Sequence, residues 1–94
     1  ALVRTVIRAF LSEIPGEITR LGEAVRTQNS TAIKNLAHKI RGASANVGCN
    51  ALSEAASELK RSVEAEDTVT IQKNYESLSR QFAFARDELE KNSG

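Results

Sequence analysis

The stretch Asn29-Ser30-Thr31-Ala32-Ile33-Lys34-Asn35-Leu36-Ala37-His38-Lys39-Ile40-Arg41-Gly42-Ala43-Ser44-Ala45-Asn46-Val47-Gly48-Cys49-Asn50 decides the fold. Within it Ile33, Leu36, Ala37, Ile40, Ser44 and Val47 recur in steps of three and four, the period of one buried helix face. Asn29 and Ser30 offer capping oxygens at its start. Gly48 ends it, as glycine commonly does one residue past a helix. Asn50 is expected to cap the next helix, whose inward stripe is Leu52, Ala55, Ala56, Leu59 and Val63. So short a corner forces the two helices antiparallel and adjacent.

Working outward, Leu2, Val3, Val6, Ile7, Phe10 and Leu11 define one face of an opening helix. Ser12 and Pro15 then mark a second helix, or a kinked continuation, beginning near Glu13. Its stripe is Ile14, Ile18, Leu21 and Val25, and it is expected to end near Thr27. Downstream, Asp67 or Thr68 caps a last helix that buries Ile71, Tyr75, Leu78, Phe82, Ala85 and Leu89, the narrow seam of a bundle helix. The expected architecture is all-α: an antiparallel four-helix bundle with a short additional N-terminal helix, in one domain over residues 1–94.

Composition agrees and narrows the function classes. Ninety-four residues hold one small core and not two. With one proline and five glycines there are few places for turns. The net charge of +1, with acids and bases interspersed, lacks the basic stripe of a nucleic-acid binder. No apolar run approaches the roughly 20 residues that span a bilayer. A lone Cys49 forms no internal disulfide, so a reducing compartment, the cytoplasm, is the simpler expectation. No large exposed apolar patch is evident, and the isolated domain is expected to be a monomer. The lack of any Met, even at position 1, is read as the mark of a domain cut from a longer protein, itself open to being membrane-anchored.

The only histidine is His38, and on a helical wheel it lies roughly 140° from the centre of the buried stripe. It is therefore expected to face water. Its surface neighbours are Lys34, Asn35, Arg41, Gly42 and Ala45. A glycine in a helix interior costs about 1 kcal/mol against alanine. Gly42 and Ala45 together clear a bare patch beside the imidazole where another protein can approach. Lys34, Lys39 and Arg41 make its rim basic, which suits a phosphoryl group or an acidic partner. Imidazole is a nucleophile at neutral pH and attacks phosphorus, giving a reactive phosphoramidate. The chain has no glycine-rich phosphate loop and no carboxylate cluster near His38 to hold a metal. Glu64, Glu66 and Asp67 read as helix-end residues, and Cys49 as a packing residue.

The run from Leu36 to Gly48, followed by Leu52, resembles the signature of histidine-phosphotransfer (HPt) domains. That signature has a histidine, a hydrophobe two residues on, a basic residue, a glycine and two small residues, then a second glycine and a leucine. More weakly, Phe10, Pro15 and Leu21 are similar to the family's pattern before the active helix. The resemblance implies that His38 is the phosphoryl acceptor and donor, with Arg41 and Gly42 beside the phosphate. It implies response-regulator receiver domains as partners, docking over Lys34, Asn35, Lys39 and Ala45. It further implies no cofactor held by the chain itself, Mg²⁺ being supplied by the receiver; the start without Met favours a hybrid sensor histidine kinase as the parent, with a free-standing shuttle staying open. The sequence departs from the pattern at Arg41, where lysine is usual, and at Ala43, where serine is common. A docking module that carries no phosphate stays open as the alternative. A kinase helix pair is disfavoured by Lys39, which stands where such domains need an acid.

Overall fold

The computed structural model describes the backbone of residues 2–93 and, within it, the side chains of residues 3–91. Four helices run in sequence: α1 Leu2–Arg26, α2 Ser30–Asn46, α3 Asn50–Glu64 and α4 Thr68–Ser93. Each packs on its neighbours in the ring α1–α2–α3–α4–α1, and the diagonal pairs make no close backbone approach. This is the expected antiparallel four-helix bundle.

All three corners are built alike. In each, the residue after the helix cap takes a left-handed backbone: Gln28 (φ 55°), Gly48 (φ 77°) and Glu66 (φ 57°). The following N–H then reaches back to the final turn of the helix. Asn29 donates to Ala24 (2.9 Å), Cys49 to Ser44 (2.8 Å) and Asp67 to Ser62 (3.2 Å). These are Schellman closures, which satisfy carbonyls that the helix end leaves unpaired. The next helix starts at once: the Asn29 side chain accepts from the Ala32 N–H, and Asp67 Oδ1 accepts from Thr70 N–H. The expectation that Asn50 caps α3 is corrected: Cys49 is the cap residue, makes no side-chain cap bond, and Asn50 lies inside the helix.

The separate N-terminal helix is also corrected. Pro15 lies inside α1, which runs unbroken through it. Proline removes one i→i−4 hydrogen bond, yet the apolar stripe stays in phase across it. Phe10 and Ile14 before the proline and Leu21 and Ala24 after it enter one core, so burial holds both halves on one axis. Val3 and Val6, expected on the buried face, are 71% and 45% exposed. The reason is length: α1 and α4 have 25 and 26 residues against 17 and 15 for α2 and α3. The first turns of α1 outrun the end of α2 and lose the neighbour that would cover them. The Leu2 side chain lies outside the described residues.

The core is mainly aliphatic, from Ile33, Ala37 and Ile40 of α2 through Leu52, Ala56, Leu59 and Val63 of α3 to Leu78 of α4, with Phe10 and Phe82 as its two aromatic rings. Leu36, Val47, Ala55, Ile71, Tyr75 and Leu89 are half-buried around it. Two serines are buried, and each hydroxyl donates within its own helix: Ser44 to the Ile40 carbonyl (2.6 Å) and Ser62 to that of Leu59 (2.7 Å). Burying them therefore leaves no donor unmet.

Candidate functional site

Because Ile33, Ala37, Ile40 and Ser44 turn α2 inward, the opposite side of the helix must face solvent. His38 is at the middle of that side. Its side chain is exposed and takes part in no hydrogen bond or ion pair among the described residues. Asn35, Arg41, Gly42 and Ala45 are exposed around it, and Lys34 is half-buried.

Gly42 stands in open space. A Cβ built there would meet nothing within 4 Å, and its backbone is ordinary helix. Neither packing nor conformation in this chain requires a glycine, which still costs about 1 kcal/mol relative to alanine. With the methyl of Ala45 beyond it, a strip of bare helix runs from the imidazole toward the end of α2.

The cations divide into two groups. Lys39 Nζ lies 3.7 Å from Glu17 Oε1 on α1, a carboxylate whose side chain is only 13% exposed. Arg20 meets the same oxygen at 3.1 Å. Lys39 is thus drawn to the α1 flank, where it shares one carboxylate with Arg20. Lys34 and Arg41 lie toward α3 and have no ion partner among the described residues. α2 itself contains no acidic residue, so the open charge beside His38 is positive.

Two participants escaped the reading of the sequence. Glu17 is remote in sequence and flanks, rather than joins, the apolar stripe of α1. Only the antiparallel pairing of α1 with α2 brings it to Lys39. Ser53 donates its hydroxyl to the Arg41 carbonyl at 3.2 Å, tying the start of α3 to α2 one turn beyond His38. A serine in a helix gives no signal of that kind.

The remaining candidates lie elsewhere. Cys49 is a free, half-buried thiol at the α2–α3 corner, and burial pushes it above the ordinary thiol range, away from reactivity. Glu64 and Glu66 are exposed at the α3–α4 corner, where Asp67 is occupied as a cap. Among the described residues no group of three or more His, Cys, Asp or Glu side chains could hold a metal ion. Among them, too, no helix is long and apolar enough to cross a membrane. A hollow of about 340 Å³ opens between residues 47–52 and 81–89 and does not include His38.

The family model for the Hpt domain matches residues 5–90. No curated protein and no solved structure shows significant similarity to the chain. The matched span takes in the whole of α2 and α3, with His38 and Gly42 among its residues. The chain therefore belongs to the Hpt domain family, the histidine phosphotransfer modules that work with receiver domains in phosphorelays.

Proposed function

We propose that His38 is the residue on which this chain carries phosphate, accepting it from the aspartyl phosphate of one receiver domain and yielding it to the aspartate of another. An imidazole nitrogen attacks phosphorus in line. A P–N bond forms as the P–O bond to the receiver's carboxylate breaks, and the carboxylate leaves with that bond's electrons. The reverse sequence discharges the phosphoryl group. The Mg²⁺ that such transfers use belongs to the partner. Arg41 is the cation placed to meet the phosphoryl oxygens. Gly42 and Ala45 admit the receiver's backbone, and Lys34, Asn35 and Lys39 edge the contact. The lone free cysteine fits a reducing compartment, which supports a cytoplasmic setting for the exchange.

One observation carries the reading. The chain's single histidine is exposed one turn before a helical glycine that nothing in the chain needs. A receiver domain needs both. The test is transfer from a phosphorylated receiver in the presence of Mg²⁺, comparing the wild-type chain with His38→Gln. Acid-labile, alkali-stable label on the wild type alone is the expected result. Label that persists on His38→Gln, or none on either chain while the receiver still binds, overturns the assignment.

A further inference from the structure

The outward face of α4 holds a pattern that phosphotransfer through α2 does not use. Counted by turns, the residues opposite the buried seam of Leu78 and Phe82 are Lys73, Glu76, Arg80, Phe84, Asp87 and Lys91, with Ala83 at their edge. Phe84 is 66% exposed, a large ring standing among charges. Arg80, Asp87 and Lys91 find no partner among the described residues. Arg80 and Asp87 are two turns apart on one helix, too far to pair with each other. A shallow hollow of about 180 Å³ lies between them, lined by Arg80, Ala83, Phe84 and Asp87.

From Glu76 to Lys91 the order of charges is its own complement when reversed, with Lys73 outside the pattern. About a point between Ala83 and Phe84, Arg80 mirrors Asp87 and Glu76 mirrors Lys91. We propose that this face is a contact for a second copy of the chain. Two α4 helices pair antiparallel about a twofold axis between Ala83 and Phe84. Each Phe84 ring then covers the partner's Ala83, large against small. Arg80 of each copy faces the partner's Asp87, and Glu76 faces the partner's Lys91. A twofold contact makes every pair twice. A parallel arrangement in the same register sets arginine on arginine and aspartate on aspartate, so charge selects the antiparallel one.

The pairing is compatible with transfer. α4 is diagonal to α2 in the bundle, so the two His38 side chains lie on the outer faces of the dimer, away from the contact. One helix pair with two exposed rings buries less than the roughly 1,200 Å² of a stable interface, so association is weak, with a dissociation constant of about 10 µM to 1 mM. It also weakens with salt, since the ion pairs are exposed.

Sedimentation equilibrium of the full chain across that concentration range tests the proposal, with helicity by circular dichroism as the control for folding. Arg80→Asp and Asp87→Arg each set like charges face to face and are expected to weaken self-association by about tenfold or more. An equimolar mixture of the two variants places arginines at both positions of one chain against carboxylates at both positions of the other. That mixture is expected to recover wild-type association. The proposal is overturned by a wild type that stays monomeric to about 1 mM. It is equally overturned by single variants that associate like wild type, or by a mixture that does not recover.

Discussion

Lys39 directs its ammonium to Glu17 on α1, 3.7 Å away, although it follows His38 directly in the chain. Sequence adjacency and electrostatic service to the histidine are therefore different things here. Arg41 has no ion partner among the described residues, which under the proposed function leaves it to meet phosphoryl oxygens. Arg41→Ala is expected to slow transfer from a phosphorylated receiver by about tenfold, less than the loss of a buried oxyanion donor because the site is wet. Lys39→Ala is expected to change the rate by less than about threefold, as befits an exposed charge drawn toward a carboxylate on another helix. Rates for both variants at low and physiological salt check the order. A larger loss at Lys39 means that the Glu17 pair opens during transfer.

Two glycines inside helices predict opposite outcomes for the same substitution. Alanine at Gly42 meets nothing, so Gly42→Ala is expected to raise stability by about 1 kcal/mol. At Gly22 the new Cβ would lie 2.5 Å from Tyr75 Oη and 3.1 Å from its Cζ. The ring must move away from α1, and overpacking of that kind costs about 1–3 kcal/mol, which exceeds the gain in helix propensity. Gly22→Ala is therefore expected to destabilise. Urea denaturation of both variants reads the two signs. Transfer reads the other half: Gly42→Ala is expected to slow it despite its greater stability, and Gly42→Gln more so.

Those glycines also show what the sequence could and could not reveal. Both sit in helical sequence, and the choice between one that stands in open space and one that makes room for the chain's own tyrosine depends on the neighbouring helix. His38 was legible because its exposure follows from the phase of its own helix alone. The bundle was legible because each stripe keeps phase for several turns. Pro15 misled because a local breaker was weighed without the core that spans it. Val3 and Val6 misled because periodicity reports a face, and the relative lengths of helices decide whether anything covers it. Glu17 and Ser53 act across helices and leave no trace in local spacing.

The three corners share a geometry but not a residue. Only Gly48 is a glycine; Gln28 and Glu66 hold the left-handed backbone with a Cβ present, which costs about 1 kcal/mol each. Gln28→Gly and Glu66→Gly are expected to raise stability by roughly 0.5–1 kcal/mol apiece and to add, since they lie at different corners. Gly48→Ala is expected to lower it by about 1 kcal/mol. Thermal melts of the three single variants and the Gln28→Gly/Glu66→Gly double variant measure this. A neutral Gly48→Ala means the α2–α3 corner relaxes without losing its closure.

Asp67 makes acid sensitivity a test of the α4 cap. Its Oδ2 accepts from the Thr70 hydroxyl at 2.7 Å and its Oδ1 from the Thr70 N–H at 3.1 Å. These bonds favour the carboxylate, the hydroxyl bond most, and hold it below the usual aspartate value of about 3.9. A carboxyl depressed in the folded state stabilises the fold above its unfolded value, and that contribution is lost as pH falls through the folded one. Asparagine caps a helix without titrating, so Asp67→Asn isolates the charge from the cap. Wild type is expected to be the more stable at pH 7. The gap should stay constant down to about pH 5 and close as the pH falls further. Paired urea titrations at pH 7, 4 and 2 follow the difference, in which the titration of every other carboxylate cancels. A gap that is the same at all three pH values assigns the cap's worth to geometry and none of it to charge.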